Sequence, residues 1–165
     1  MMAAANPFLV FLPLVLPVCV WVAWSDLARM RIPNAAVLSL LAIYLVAGAF
    51  ALPSDAFLRG LALGGAALVA GFVICSIGLG IGAGDAKFAA AMAPFVAAGD
   101  GAGFVLLVCA VLIASFALHR TARMMPALRR AAPGWESWER SEFPAGVALS
   151  AALAIYLALA ATGSF

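Results

Sequence analysis

Long apolar runs follow one another through almost the whole of this 165-residue chain. Hydrophobic residues make up 67% of it and charged residues 10%, whereas soluble domains carry roughly 25% charged residues. A chain of this length cannot bury so much apolar surface in a single core that faces water. We therefore predict an integral membrane protein.

Six apolar segments can be drawn along the chain, and crossing the hydrocarbon core of a bilayer takes about 20 apolar residues. They cover residues 7–24, 35–52, 57–77, 86–98, 103–118 and 145–161. The fourth segment is short, so we expect it to include part of the glycine-rich stretch before it. The predicted fold is an all-α, polytopic membrane protein with six transmembrane helices.

The basic residues predict how such a chain is oriented. All nine of them except Arg59 lie in connections that the six-span topology places on one side. Because cytoplasmic connections are enriched in Lys and Arg, we expect that side to be cytoplasmic and both termini to be periplasmic. The net charge of +2 is too small to suggest nucleic-acid binding. The three cysteines form no CxxC pair, which argues against a zinc or redox site.

Asp26 and Asp85 are predicted on the cytoplasmic side, each at the end of an apolar segment. Ionisable residues in or near a span are costly and usually functional. If the first and fourth segments are neighbours, the two carboxyls meet, and one can act as general acid while the other acts as base. This aspartic-protease chemistry needs no metal and no organic cofactor. Asp55 and Asp100 fall on the outer side, where we expect solvated loop residues.

Gly82 and Gly84 stand directly before Asp85 in the stretch GLGIGAGDAK, residues 78–87. Glycine allows a sharp turn and a close approach of another backbone. We therefore expect these two glycines to shape the site around Asp85. Close helix packing is the preferred interpretation for the other glycines considered, which are Gly60, Gly64, Gly78 and Gly80.

Three basic residues near the two aspartates have alternative roles. Arg29 either pairs with Asp26 or anchors the helix end among lipid headgroups, and anchoring is also expected for Arg31. Lys87 is a candidate for contacting the substrate or tuning the pKa of Asp85, and simple anchoring is equally compatible with its position.

The connection between the first and second segments also carries local signals. Pro33 disfavours helix at Ile32 and so separates the two segments. Asn34 is predicted as the N-cap of the second helix.

Residues 119–143 form the one long polar connection. Trp135 and Trp138 lie among acidic residues there, which favours an interfacial helix with aromatic anchors and a solvated charged face. The alternative is a rim that touches a cytoplasmic segment of the substrate. No catalytic role is expected for His119.

At these residues the chain resembles the type IV prepilin peptidase family, the bacterial branch of the GxGD intramembrane aspartyl proteases. The resemblance covers essentially the whole chain. It is carried by Gly82-Ala-Gly84-Asp85 with Lys87, and by Asp26 followed by the sequence RIPN at residues 31–34. The sequence FPAGVALSAAL, residues 143–153, also resembles the Pro-x-Gly-x-Ala segment that opens the last span in that family.

The resemblance implies that prepilin leader peptides are cleaved at the cytoplasmic face of the bacterial inner membrane, with Asp26 and Asp85 as the catalytic pair. Residues 1–165 would form one transmembrane peptidase domain, with residues 119–143 as a cytoplasmic or interfacial loop. Bifunctional members carry a large insertion linked to N-methylation, for which this chain has no room between Asp26 and Asn34. It instead resembles the short, peptidase-only members called CpaA or TadV, which serve Flp/Tad-type pili.

Two other classes of function remain open to the sequence. A small proton or cation transporter, or a channel subunit, would use the same intramembrane carboxylates. That alternative requires polar residues on several spans, and the apolar segments contain only a few serines and tyrosines. A non-catalytic assembly subunit would tolerate the loss of both aspartates.

Overall fold

A computed structural model describes residues 6–78 and 82–165. The helices in this part of the chain are α1 (Pro7–Arg29), α2 (Asn34–Ala51), α3 (Ser54–Ser76), α4 (Ala83–Met92), α5 (Gly101–Arg123), α6 (Pro126–Ala131) and α7 (Ala145–Ala161). Short 3₁₀ turns follow α4 at Ala93–Phe95 and precede α7 at Glu136–Trp138.

Four of these helices, α1, α2, α3 and α5, are long and apolar enough to cross a membrane. The apolar helix α7 has 17 residues, and α4 has 10. α4 begins at Ala83 and therefore takes in the end of the glycine-rich stretch, as predicted, but the 3₁₀ turn containing Pro94 ends it early. The described residues thus form a helical membrane protein, while six complete spans and their orientation stay predictions.

Helix α1 lies at the centre of the bundle and packs most extensively against α7 and α2. The side chain of Asn6 caps α1 by accepting a hydrogen bond from the N–H of Phe8 at 3.0 Å. The same side chain donates to the carbonyl oxygens of Ala160 and Ala161 at the far end of α7. The two helices are therefore antiparallel, and the C-terminal end of α1 meets the N-terminal end of α7.

The core is built from large apolar side chains of α1, α2, α4 and α7. Tyr44 of α2 stacks on Phe57 with ring centroids 5.4 Å apart, and Phe95 meets it edge to face at 5.2 Å. The fully buried side chains include Phe11, Val15, Leu40, Phe88 and Leu153. By contrast, α3 and α5 expose most of their apolar residues, as expected for helices that face lipid.

Glycines let α3 approach its neighbours closely. A Cβ at Gly60 would lie 2.0 Å from Oη of Tyr44, and one at Gly64 would lie 2.9 Å from Cγ of Pro94. The predicted packing role is confirmed for both. It is wrong for Gly78, which has a φ of +72° and no described atom within 4 Å of its Cβ position, so it serves the turn after α3. Gly80 lies outside the described residues.

At the opposite end of the bundle, the prediction that Asp100 is a freely solvated loop residue is wrong. The buried hydroxyl of Tyr156 donates to Asp100 Oδ2 at 2.8 Å and accepts from the N–H of Ala97 at 2.9 Å. This ties the turn before α5 to α7. Asp55 is exposed, and it lies in the first turn of α3, where it forms a salt bridge with Arg59 at 2.7 Å.

The connection between α5 and α7, residues 124–144, folds across one end of the bundle, and we call it the strap. Trp135 meets Trp24 of α1 edge to face and stacks on Trp138. Trp138 is 5% exposed and donates its indole N–H to the carbonyl of Ala132 at 2.9 Å. The predicted role of Trp138 as an aromatic anchor of one interfacial helix is therefore wrong. Pro133 and Gly134 follow α6 and separate it from the 3₁₀ turn that carries Trp138.

Two arginines of α5 hold the strap from the other side. Arg120 donates to the carbonyl of Ser141 at 2.7 Å, and Arg123 donates to the carbonyl of Arg140 at 2.8 Å. His119 is buried and stacks on Trp138, with ring centroids 5.4 Å apart. The strap is thereby fixed between the C-terminal ends of α1 and α5.

Candidate active site

A cavity of about 750 Å³ opens where α1 ends and where α4 and α7 begin. Asp26 and Asp85 both line it. The rest of its wall comes from the α1–α2 connection, the first turn of α4 and the end of the strap. The structure therefore brings the two predicted aspartates into one cavity, although 59 positions separate them in sequence.

Asp26 lies one turn before the end of α1 and is only 5% exposed. Its Oδ2 accepts a hydrogen bond from the backbone N–H of Gly146 at 2.7 Å. The first turn of a helix has free N–H groups and a positive end, both of which suit a carboxylate. This buried acidic group is thus held by the helix opposite it.

Asp85 stands in the first turn of α4 and is partly buried. Its carboxyl lies beside Gly82, the residue that caps the helix. A Cβ at Gly82 would lie 2.9 Å from Asp85 Oδ2. Gly82 has an ordinary φ of −67°, so its role beside Asp85 is to leave space and not to allow an unusual turn.

Ile32 connects the two halves of the cavity wall. A Cβ at Gly84 would lie 3.5 Å from Cβ of Ile32, which is ordinary contact, and one at Gly146 would lie 2.9 Å from Cδ1 of Ile32. Ile32 therefore packs between the first turns of α4 and α7. This places α4, which carries Asp85, next to α7, whose first turn binds the carboxyl of Asp26.

The tight α1–α2 connection has a defined shape. Met30 ends α1 in the left-handed conformation with a φ of 49°. The buried hydroxyl of Ser25 donates to the carbonyl of Arg31 at 2.9 Å. Pro33 separates the helices as predicted. However, it is Pro33 that occupies the N-cap position of α2, so the prediction of Asn34 as the cap is off by one residue.

The mouth of the cavity is rich in charge, with Arg29, Arg31, Lys87, Arg140 and Glu142 in its lining. Arg29 is exposed while Asp26 is buried, and no salt bridge joins them in the described part of the chain. The structure therefore gives no support to the pairing alternative for Arg29, and its role stays a prediction. Lys87 is exposed at the cavity wall and forms no salt bridge with Asp85 there, so substrate contact, tuning of the pKa of Asp85 and anchoring all stay predictions for it.

Three contributors to this site were missed from the sequence, namely Ser25, Ile32 and Gly146. A signal existed for Gly146, because Pro144 marks the start of the last apolar helix on the side where both aspartates were placed. A helix N-terminus at that level is a natural partner for a carboxylate. For Ile32, only the packing reveals the role.

Other potential functional groups lie apart from this cavity. His119 does not line it, and neither of its ring nitrogens has a hydrogen-bond partner among the described residues. Within residues 6–78 and 82–165, no group of three His, Cys, Asp or Glu side chains is arranged to hold a metal ion. The carboxyls of Asp26 and Asp85, which line the cavity together, can share the work of general acid and general base.

Comparison with known proteins identifies the class of molecule that carries this site. A model of the type IV leader peptidase family matches residues 13–118, which include both Asp26 and Asp85. The chain belongs to this family and is a leader-peptidase-like protease of the membrane. No curated protein matches the chain. No solved structure matches it either.

Proposed function

We propose that the chain is a membrane-embedded aspartic endopeptidase that removes the leader peptide of type IV prepilins of the Flp/Tad type. The observation that carries the proposal is that Asp26 and Asp85, from two different helices, line one cavity in a chain of the leader peptidase family. Two carboxyls in one water-accessible site are sufficient for peptide hydrolysis.

The proposed reaction divides the work between the carboxyls. One aspartate removes a proton from a water molecule, which attacks the carbonyl carbon of the scissile bond. The other donates its own proton to the carbonyl oxygen. When the tetrahedral intermediate collapses, the first aspartate passes the proton it took from the water to the leaving amine, and the second aspartate recovers its proton from the oxygen. The peptide must be extended at this point, because a helical segment engages its carbonyl oxygen in the i→i−4 hydrogen bond.

The placement of the cavity supports cleavage at the cytoplasmic membrane face of the bacterial inner membrane. The charged residues of the strap and of the cavity mouth cluster at this end of the bundle. Lys and Arg are enriched on the cytoplasmic side of membrane proteins. In this arrangement, the apolar helix of the prepilin lies against the spans and its leader stays in the cytoplasm.

The compact α1–α2 connection supports a peptidase without N-methyltransferase activity. α1 ends at Arg29 and α2 begins at Asn34, so the helices are joined by residues 30–33 alone. This leaves no cytoplasmic insertion between Asp26 and the second helix.

The test is cleavage of a co-expressed Flp-type prepilin in isolated membranes, followed as the ratio of precursor to mature pilin. Asp26→Asn and Asp85→Asn should each abolish cleavage, because each removes one of the two groups that exchange protons. Asp55→Asn is the matched control, since Asp55 is exposed and does not line the cavity. Near-normal cleavage by either cavity variant would contradict the assignment of the catalytic pair. A substantial proton or cation flux in the absence of proteolysis would instead support a transporter.

A further inference from the structure

The segment that opens α7 has no role in the proposed reaction, although it stands out in the sequence. Pro144 caps the helix, and Gly146 follows in its first turn. The family match ends at residue 118, well before this segment. Gly146 is nevertheless buried, and its N–H donates to Asp26 Oδ2 at 2.7 Å across 120 positions of sequence.

The space around Gly146 explains why a side chain does not fit. A Cβ there would lie 2.8 Å from Asp26 Oδ2, and 2.9 Å and 3.0 Å from Cδ1 and Cγ1 of Ile32. Real Cβ atoms essentially never come closer than 3.0 Å to another atom, as this one would to Asp26 Oδ2 and to Cδ1 of Ile32. The end of the Ile32 side chain can shift, but the carboxyl can move only by giving up its short bond to the Gly146 N–H.

We propose that Gly146 is a positioning residue for Asp26. Its N–H fixes one carboxyl oxygen, and its missing side chain allows the carboxyl to stay in the wall of the cavity shared with Asp85. The inference rests on the proposed function, since positioning bears on catalysis only if Asp26 is catalytic.

The strap gives this contact a mechanical support. It leads directly into α7, and its last residues are held by Arg120 and Arg123 through the carbonyls of Ser141 and Arg140. The strap is thus held against α1 through Trp135 and against α5 through these two arginines. It therefore fixes the start of α7, where the N–H of Gly146 meets Asp26.

The first experiment measures the contact without any substrate, by thermal unfolding of the purified full chain in detergent. Gly146→Ala should lower the melting temperature of the wild-type protein. In an Asp26→Ala background the same change should lower it much less, because the oxygen that the new methyl group would strike is gone. An equal loss in both backgrounds would show that the two residues are not coupled and would overturn the proposal.

The second experiment measures cleavage of a purified Flp-type prepilin in detergent micelles. Gly146→Ala should reduce kcat on the order of 100-fold with KM nearly unchanged, since a displacement of about 1 Å in a reacting group has an effect of this size. Gly65→Ala is the control, because no described atom beyond its chain neighbours and its own helix backbone lies within 4 Å of a Cβ at that exposed glycine. A wild-type kcat, or a raised KM with kcat preserved, would contradict a positioning role.

A third variant separates the contact with Asp26 from the contact with Ile32. If crowding of Ile32 were the cause, Gly146→Ala combined with Ile32→Ala would recover the activity of Ile32→Ala alone, and the proposal would fail. The proposal expects no such recovery. If the wild-type protein did not cleave prepilin at all, the proposed function would be wrong, and the unfolding experiment would still decide whether Gly146 holds Asp26.

Discussion

The indole rings of Trp24 and Trp135 meet edge to face, with their centroids 5.4 Å apart. Trp24 lies on α1 just before Asp26, and Trp135 lies in the strap. The strap is therefore packed against the same end of α1 that carries the buried aspartate. It also leads into the first turn of α7, which holds that aspartate.

Removing the indole of Trp135 should release the strap. Trp135→Ala loses ring contacts with both Trp24 and Trp138, and aromatic pairs contribute about 0.5–1.5 kcal/mol each. We expect faster tryptic cleavage after Arg129 and Arg130 in membranes, together with slower processing of prepilin. Trp21→Ala is the control, because Trp21 is 42% exposed on the outer face of α1. If the tryptic cleavage rate of Trp135→Ala matched that of the control, the strap would not depend on this contact.

Gly60→Ala should destabilise the bundle away from the active site. The new Cβ would collide with the hydroxyl of Tyr44, which donates to the carbonyl of Phe57 at 3.1 Å. Overpacking of this kind costs about 1–3 kcal/mol. Thermal unfolding in detergent should show a lower melting temperature for Gly60→Ala than for the wild-type protein. Gly65→Ala should leave the melting temperature unchanged, because Gly65 lies on the same helix with open space around its Cβ position. Equal melting temperatures would mean that α3 packs less tightly on α2 than the structure shows.

The orientation of the chain can be tested with fusions to alkaline phosphatase, which is active only outside the cytoplasm. A fusion after Phe165 should be active, and a fusion within the strap should be inactive, since the strap and the adjoining end of α5 hold Arg120, Arg123, Arg129, Arg130 and Arg140. The opposite pattern would place the cavity on the periplasmic side. It would then contradict cleavage of a cytoplasmic leader.

Parts of the site could be predicted because they follow from local chemistry. An aspartate after glycines at the start of a short apolar helix, and another at the end of a long one, stand out in a chain with so few charges. Their shared side of the membrane follows from the distribution of basic residues. The cap of α2 was misplaced by one residue, since Asn and Pro are both common at helix starts and only the backbone distinguishes them.

The sequence by itself determined that this is a helical membrane protein and singled out two aspartates as candidate functional residues, because hydropathy and the cost of charge in a bilayer are local properties. Only the tertiary structure decided what surrounds them. The approach of α7 to α1 places Gly146 against Asp26, and the packing of Ile32 places α4 beside α7. These contacts join residues far apart in the chain, and they depend on how whole helices pack, which no short stretch of sequence encodes.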